Sequence, residues 1–174
     1  MKSTKRILAF ALVLILVLSL SIPACADGAQ YNNTKAFLDA VDGDEEFSCE
    51  YDGIYEINGT NYEEVFVVYS GDLSDYQFGF FVYFDEDDSG VFLNMPVIEC
   101  SDDDLLDVLV NVNDFNCMTE GVKLYVNDDN NVKAEMYLVV DEDCVLDILP
   151  LGMALFMGYA EGIYEAFADY NVAA

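Results

Sequence analysis

A change of hydrophobic period within residues 101–126 is the feature that most constrains how this chain folds. Ser101 and Asp104 have the spacing of a capping box at a helix N-terminus. Apolar residues then recur at steps of three and four, as on one face of an amphipathic helix: Leu105, Val108, Leu109, Val112 and Phe115. After Gly121 the period becomes two, which is typical of a half-buried strand. The segment therefore predicts a helix followed directly by a strand.

The end of this helix carries a short motif, VNDFN at residues 112–116, followed by GVKLYVNDDNNVKAEMYLVVD. The motif resembles the apolar-Asn-x-x-Asn signature of the YbjN family, where it closes a central helix before a β-hairpin and a long last helix. The resemblance covers the order of elements over residues 27–174. Members of that family are described as bacterial sensory transduction regulators, and their fold is similar to that of type III secretion chaperones. No catalytic residue is known for the family, so the resemblance implies a non-enzymatic bacterial domain.

The other elements follow from local periodicity and turn residues. A short helix is predicted over 34–41, and strands over 47–57 (with a bulge at 52–53), 64–69, 76–84 and 91–98. A hairpin over 122–140 and a last helix over 144–170 complete the chain. The predicted order is α-β-β-β-β-α-β-β-α. This is an α+β fold in which three helices pack on an antiparallel sheet, formed by a four-stranded meander plus a hairpin.

Residues 1–26 have the pattern of a secretory signal peptide. Three basic residues precede an apolar run over 7–22, and Ala24-Cys25-Ala26 has the small-x-small form of a cleavage site. We expect cleavage after Ala26 and release of residues 27–174 as one domain, either secreted or in the bacterial cell envelope. The alternative is a lipoprotein anchored through Cys25, although Pro23 fits poorly in a lipobox.

Cleavage at that point leaves three basic residues against 34 acidic ones, a formal charge of −31. Such a surface repels nucleic acids and anionic membranes. It attracts cationic segments instead, so we expect a protein or peptide partner that carries positive charge. The hydrophobic content of 54% and the aromatic content of 14% indicate a folded core rather than an acidic disordered chain.

The sequence offers no recognisable catalytic grouping. It contains no histidine, which removes Ser-His and Cys-His nucleophile pairs and the commonest transition-metal ligand. Carboxylates are so numerous that no pair of them indicates acid–base chemistry. We therefore expect a binding, regulatory or chaperone-like module that is not an enzyme and needs no cofactor. A carboxylate-dependent hydrolase is an alternative that no motif supports.

The acidic turn at residues 85–90 (DEDDSG) matches the opening of an EF-hand loop. Oxygen-bearing side chains alternate at Asp85, Asp87 and Ser89, and Gly90 follows. The twelfth loop position, however, is Pro96 instead of the closing glutamate, and both flanks have the pattern of strands. A solvated hairpin tip is the favoured interpretation, and a weak extracellular Ca²⁺ site is the alternative.

Four cysteines remain after cleavage: Cys49, Cys100, Cys117 and Cys144. An even number in an exported chain suggests disulfides. Cys100 and Cys117 bracket the central helix and are too far apart to pair. A meander brings Cys49 and Cys100 to one end of the sheet, and the hairpin returns Cys144 towards Cys117. We predict Cys49–Cys100 and Cys117–Cys144, with four buried free thiols as the alternative.

The last helix is apolar nearly all round over residues 145–160. A helix of this kind is deeply buried or shared between subunits. Its modest length, Asp147 and Pro150 argue against a membrane span. The predicted buried stripe is Leu149, Met153, Phe156, Ala160, Ile163 and Phe167. Burial of Phe156 and Met157 by the sheet of the same chain is the favoured interpretation, and these two residues are the candidates if the helix forms an interface. The predicted assembly is a homodimer.

Overall fold

A six-stranded antiparallel sheet with three helices is formed by the residues that the computed structural model describes, 28–70, 78–141 and 144–172. In chain order the elements are α1 (Asn32–Val41), β1 (Phe47–Ile57), β2 (Thr60–Tyr69), β3 (Phe78–Asp85), β4 (Gly90–Glu99), α2 (Leu105–Met118), β5 (Lys123–Val126), β6 (Asn131–Val139) and α3 (Val145–Phe167). A 3-10 turn, Ala168–Tyr170, follows α3. The α+β class and the order α-β-β-β-β-α-β-β-α are confirmed.

The strands lie in the order β1-β2-β3-β4-β6-β5. The first four form the predicted meander, and the β5–β6 hairpin joins the sheet through β6, which pairs with β4. The short strand β5 is therefore one edge of the sheet, and β1 is the other. Helix α2 makes the connection from β4 to that far edge and packs against β5.

Turn chemistry fixes the first hairpin. Asn58 and Gly59 both have positive φ, 53° and 86°, which is the backbone that a two-residue β-turn between antiparallel strands requires. Within β1 the register with β2 shifts between Tyr51 and Gly53, so the predicted bulge is confirmed. This bulge re-aims the end of β1, and Tyr55 and Ile57 are exposed there.

The helices share one face of the sheet. Helix α3 packs on β4 and β6, and α1 contacts both α3 and β1. Gly152 allows the close approach of α3 to β6, because a Cβ there would lie 2.3 Å from a methyl of Leu138. The predicted stripe of α3 is buried throughout: Leu149, Met153, Phe156, Ala160, Ile163 and Phe167. In α2 the stripe is buried at Val108 and Val112, whereas Leu109 is exposed.

Within the described part of the chain, one segment is long and apolar enough to cross a membrane, Val145–Tyr170. Half of its apolar stretch is buried inside the domain, where α3 packs on the sheet. The predicted signal peptide at residues 1–26, with the alternative lipid anchor at Cys25, lies outside the described residues.

Candidate functional site

The face of the sheet opposite the helices carries a continuous set of aromatic side chains. Strand alternation directs Val65, Val82 and Leu93 towards the helices and the neighbouring residues the other way. We call this second surface the open face. It is defined by Tyr55, Tyr62, Phe66, Phe81, Tyr83, Phe92, Tyr125 and Tyr137, together with Asn94, Lys133 and Glu135. An antiparallel sheet usually shows polar residues on its solvated face, so this composition is informative.

The aromatic rings of the open face touch one another across the central strands. Phe66 on β2 lies 5.0 Å from Phe81 on β3, measured between ring centroids, and Phe81 lies 6.2 Å from Tyr83. Tyr83 in turn contacts Phe92 on β4 at 5.7 Å and Tyr62 on β2 at 6.4 Å. Ring pairs at such distances attract one another. The result is a contiguous aromatic surface rather than a set of isolated side chains.

A cavity of about 420 Å³ lies on this surface. Five aromatic residues form one wall of the cavity, and each comes from a different strand, β2 to β6: Tyr62, Tyr83, Phe92, Tyr125 and Tyr137. Ile57 and Asn58 at the β1–β2 turn also line it. Because that turn and Tyr137 on β6 border the same cavity, the open face is concave, as the twist of an antiparallel sheet allows. The volume is in the range of small-ligand and side-chain pockets.

Three polar side chains from the strands line the cavity next to the rings, in addition to Asn58 in the β1–β2 turn. Asn94, which is buried on β4, donates from Nδ2 to Glu135 Oε1 at 3.2 Å and to the Tyr125 hydroxyl oxygen at 3.3 Å. Glu135 on β6 lies directly opposite Asn94 in the sheet register. Lys133 is the third polar side chain of this wall. The Asn94 amide therefore holds the Glu135 carboxylate and the Tyr125 hydroxyl in place.

The tyrosine hydroxyls of the cavity lie among carboxylates. Burial, and then its hydrogen bond with Glu135, raises the pKa of Tyr125 to about 12, against a lowering contribution from Asn94. Burial and a hydrogen bond with Glu64 raise the pKa of Tyr83 well above its ordinary value. Burial also raises the pKa of Glu64 itself. These hydroxyls stay protonated and donate to the carboxylates, so they present ring faces and oxygen lone pairs to the cavity.

Tyr137 depends on a glycine for its place at the rim. A Cβ on Gly90 would lie 2.1 Å from the Tyr137 hydroxyl oxygen, so only glycine permits this approach to the backbone of β4. Burial, followed by the charge of Asp85, raises the pKa of Tyr137. Tyr137 is nevertheless 55% exposed, the most accessible aromatic ring of the open face. Its hydroxyl packs against Gly90, while more than half of the side chain stays accessible to a ligand.

The acidic turn has structural roles that the sequence pattern did not indicate. Asp85 accepts hydrogen bonds from the Ser89 N–H at 2.7 Å and from the Ser89 hydroxyl at 2.9 Å. Asp88 accepts the N–H groups of Asn32 and Asn33 at the start of α1. Asp87 is exposed. Among residues 28–70, 78–141 and 144–172, no group of three or more His, Cys, Asp or Glu side chains is arranged to hold a metal ion. The Ca²⁺ site at Asp85, Asp87 and Ser89 stays a prediction.

The four cysteines Cys49, Cys100, Cys117 and Cys144 are free thiols in the structure. Cys49 on β1 and Cys100 after β4 do lie at one end of the sheet, but β2 and β3 separate them. Three strand spacings amount to about 14 Å, which exceeds the reach of about 7 Å between the α-carbons of a disulfide. The predicted Cys49–Cys100 bridge is therefore wrong.

The predicted Cys117–Cys144 bridge is also not formed. Cys117 is exposed near the end of α2, whereas Cys144 Sγ accepts a hydrogen bond from the Asp141 N–H at 3.2 Å. Burial, and then the charge of Asp44, raises the pKa of Cys49 to about 12, so this thiol stays protonated and unreactive at neutral pH. The alternative of four buried free thiols is right about the free thiols but not about their burial, because only Cys100 is buried, Cys49 and Cys144 are half-buried, and Cys117 is exposed.

The predicted interface residues of the last helix are in the core. Phe156 is 1% exposed and contacts Phe80 edge to face at 6.0 Å, and Met157 is 6% exposed. Phe156 packs on the sheet and Met157 is buried within the same chain, so neither is exposed for an interface. The exposed apolar residues of α3 are Leu151 and Leu155.

Sequence reasoning missed the open face, although a signal for it exists. In β3 the residues Phe81 and Tyr83 alternate with Phe80, Val82 and Phe84, so both faces of the strand are apolar. A pattern of this kind usually indicates burial on both sides. Here the helices cover only one side, and the second set of aromatic residues marks a surface without an intramolecular cover among the described residues.

Comparison with known protein families and with curated proteins gives no match for this chain.

Proposed function

We propose that this protein is an exported, non-enzymatic binding module that holds a segment of a protein or peptide partner on its open face. The observation that carries the proposal is the concave aromatic surface on the side of the sheet away from the helices. Rigid tyrosine and phenylalanine rings give large contact area at low cost in conformational entropy, which is why they dominate binding surfaces.

Charge supports a cationic partner. The formal net charge of the chain is −28, and 34 of its residues are acidic. Of the three lysines in residues 27–174, Lys35 and Lys123 contact backbone carbonyl oxygens with their ammonium groups. A field of this sign attracts positively charged segments and raises their rate of association.

The resemblance to the YbjN family and to type III secretion chaperones favours the same role. A secretion chaperone holds an unfolded segment of its client against apolar surface, and the open face offers such a surface. The apolar N-terminal run at residues 7–22 supports export of the module. We infer a chaperone-like or regulatory binding function in the bacterial envelope or outside the cell.

The proposal is tested by peptide binding with a matched pair of surface variants. A pool of cationic 12-residue peptides is titrated against the folded protein, and binding is followed by calorimetry. Tyr62→Ser with Tyr137→Ser removes two rings from the open face. Leu106→Ser removes an even more exposed apolar side chain from the helical layer, where Leu106 is 72% exposed against 55% for Tyr137.

We expect the open-face variant to lose affinity by about 30-fold, the scale of an interface hot spot, while Leu106→Ser binds like the wild type. Circular dichroism is used to check that both variants are folded. Equal affinity for all three proteins, or loss only in Leu106→Ser, would place binding elsewhere and contradict the proposal.

A further inference from the structure

We propose that the cavity of the open face is a pocket for the guanidinium group of an arginine side chain in the bound segment. This inference rests on the proposed function and adds the chemical class of the group that is recognised. The juxtaposition that carries it is Glu135, held by Asn94, among the rings of Tyr62, Tyr83, Phe92, Tyr125 and Tyr137.

Ring faces and carboxylates attract a cation together. An aromatic face carries negative potential, and a cation within about 6 Å of a ring centroid is stabilised by it. Five such rings line one cavity of about 420 Å³. An apolar side chain would gain from the rings alone, whereas a cation would also interact with the Glu135 carboxylate. A cation satisfies both features.

Three hydrogen-bond donors of the cavity, the hydroxyls of Tyr83 and Tyr125 and the Asn94 amide, already have acceptors. The Tyr125 hydroxyl donates to Glu135, and the Tyr83 hydroxyl donates to Glu64. The Asn94 amide already donates to Glu135 and to Tyr125. A ligand that only donates hydrogen bonds fits this arrangement, and arginine is such a group, with five N–H donors. A carboxylate keeps about four lone-pair sites, so Glu135 can still accept from a ligand.

A guanidinium fits this pocket better than an ammonium. It is planar, it stacks on aromatic rings, and it binds a carboxylate through two parallel hydrogen bonds. It is also more weakly hydrated than the lysine ammonium, so it loses less on entering a pocket walled by rings. Tyr83 and Phe92 border the cavity with their rings 5.7 Å apart and tilted by 39°, and Tyr62 meets Tyr83 edge to face. A planar cation can stack on one such ring face while it binds the Glu135 carboxylate.

Lys133 provides an internal test of the charge argument. It lines the same cavity, so the wall that receives the ligand includes a positively charged residue. A fixed positive charge there opposes a second cation and attracts an anion. If the pocket takes a cation, removal of the Lys133 charge strengthens binding. If the pocket takes an anion, the same change weakens binding.

The experiment uses three short capped peptides that differ at one position, Gly-Ala-X-Ala-Gly with X as arginine, citrulline or lysine. Citrulline has nearly the shape of arginine but no charge. Binding is measured by calorimetry and by NMR shifts of the Asn94 side-chain amide. The protein variants are Glu135→Gln, Lys133→Met and the control Glu161→Gln, which changes net charge equally on an exposed position of α3.

We expect the arginine peptide to bind at least about tenfold more tightly than the citrulline peptide, as a cation–π contact with a charged hydrogen bond implies. Glu135→Gln removes most of that difference, Lys133→Met strengthens arginine binding, and Glu161→Gln leaves it within about twofold. The Asn94 amide resonance shifts with the arginine peptide only.

Equal binding of arginine and citrulline peptides at the open face would overturn the arginine pocket but leave the proposed function standing. Equal binding of lysine would overturn the choice of guanidinium. Weaker arginine binding by Lys133→Met would show that the pocket prefers an anion. If neither these peptides nor the longer pool shifts any open-face resonance, both proposals are wrong.

Discussion

Asn33 and Asp88, 55 residues apart, join the first helix to the turn between β3 and β4 through two hydrogen bonds. The Asn33 N–H donates to Asp88 Oδ1 at 2.9 Å, and Asn33 Nδ2 donates to the Asp88 backbone oxygen at 3.0 Å. Helix α1 has no side-chain cap from its own N-cap residue, Tyr31. A carboxylate distant in sequence therefore caps it, where the helix dipole also favours negative charge.

The cap leads to a graded prediction at position 88. Asp88 has a φ of 53°, which asparagine tolerates and alanine does not. We expect Asp88→Ala to lower the free energy of unfolding by about 2–3 kcal/mol, from the lost cap and the strained backbone. Asp88→Asn should cost less, about 1 kcal/mol.

Urea unfolding measures both values. Asp87→Ala, an exposed change in the same turn, is the control, and we expect it to change the free energy of unfolding by no more than about 0.5 kcal/mol. If Asp87→Ala and Asp88→Ala lower the free energy of unfolding equally, the cap that Asp88 provides to α1 does not contribute to stability.

A second carboxylate holds the segment before α1. Glu63 on β2 is fully buried and accepts hydrogen bonds from the N–H groups of Gln30 and Tyr31 and from the Tyr51 hydroxyl at 3.0 Å. Glu63→Gln keeps the size but places an amide donor among donors. We expect it to cost about 1–3 kcal/mol of stability, and Tyr51→Phe about 1 kcal/mol.

A double-mutant cycle on Glu63 and Tyr51 should give a coupling energy above about 0.5 kcal/mol, because the two groups share a hydrogen bond. Glu56→Gln, an exposed change on β1, is the charge-matched control. Additive effects of the two substitutions would show that the hydroxyl is satisfied elsewhere.

Local patterns were sufficient to predict the element order, since helix and strand periods differ and the turns carry Asn, Asp and Gly. They could not show how the elements pack across the sheet. The meander does bring Cys49 and Cys100 to one end of the sheet, as predicted, but β2 and β3 lie between them and keep the two cysteines too far apart for a disulfide. Bridge prediction needs lateral position as well as strand direction.

The open face could not be predicted from the sequence, because the sequence does not show which face of the sheet the helices cover. In α3 an apolar pattern all round the helix does not tell which side meets the sheet, so Phe156 fitted both the buried stripe and an interface; it packs on Phe80. In β3 both faces are apolar, so the sequence of the strand likewise does not tell which face the helices cover. Acidic residues such as Asp88 appeared to be solvated, because a cap supplied from another part of the chain leaves no local signature.

Alkaline pH should destabilise the protein through the open face. Burial raises the pKa of Tyr125 from 10.0 to about 12. A folded-state pKa above the unfolded value contributes stability that is fully present below about pH 10 and is lost as the pH rises through about 12. We expect the free energy of unfolding to fall between about pH 10 and pH 12. In that range Tyr125→Phe should reduce the number of protons released on unfolding by up to about one.

Urea unfolding at a series of pH values gives the slope, and tyrosinate absorbance reports the titration itself. Tyr159→Phe, on the helical side of the domain, is the matched control. An unchanged slope in Tyr125→Phe would mean that this hydroxyl titrates as freely in the folded protein as in the unfolded chain.

The thiols should differ in reactivity according to their burial. Cys117 is exposed, Cys100 is 3% exposed, and Cys49 has its pKa raised to about 12 by burial. We expect iodoacetamide at pH 8 to modify Cys117 first in the folded protein, and Cys49 only after unfolding. Mass spectrometry of tryptic peptides, without reductant, measures the order. A peptide that links Cys49 to Cys100 would contradict the strand order β1-β2-β3-β4.

The last prediction concerns the homodimer and uses neighbouring positions on α3. Phe156 is buried against Phe80, so Phe156→Asp places a charge in the core and should cost at least about 4 kcal/mol or prevent folding. Leu155 is 38% exposed, and Leu155→Asp should leave the fold intact. If α3 forms the dimer through its exposed residues Leu151 and Leu155, light scattering at micromolar concentration gives a dimer for the wild type and a folded monomer for Leu155→Asp. A monomeric wild type would end the dimer hypothesis, and a stable, folded Phe156→Asp would contradict the packing of α3 on the sheet.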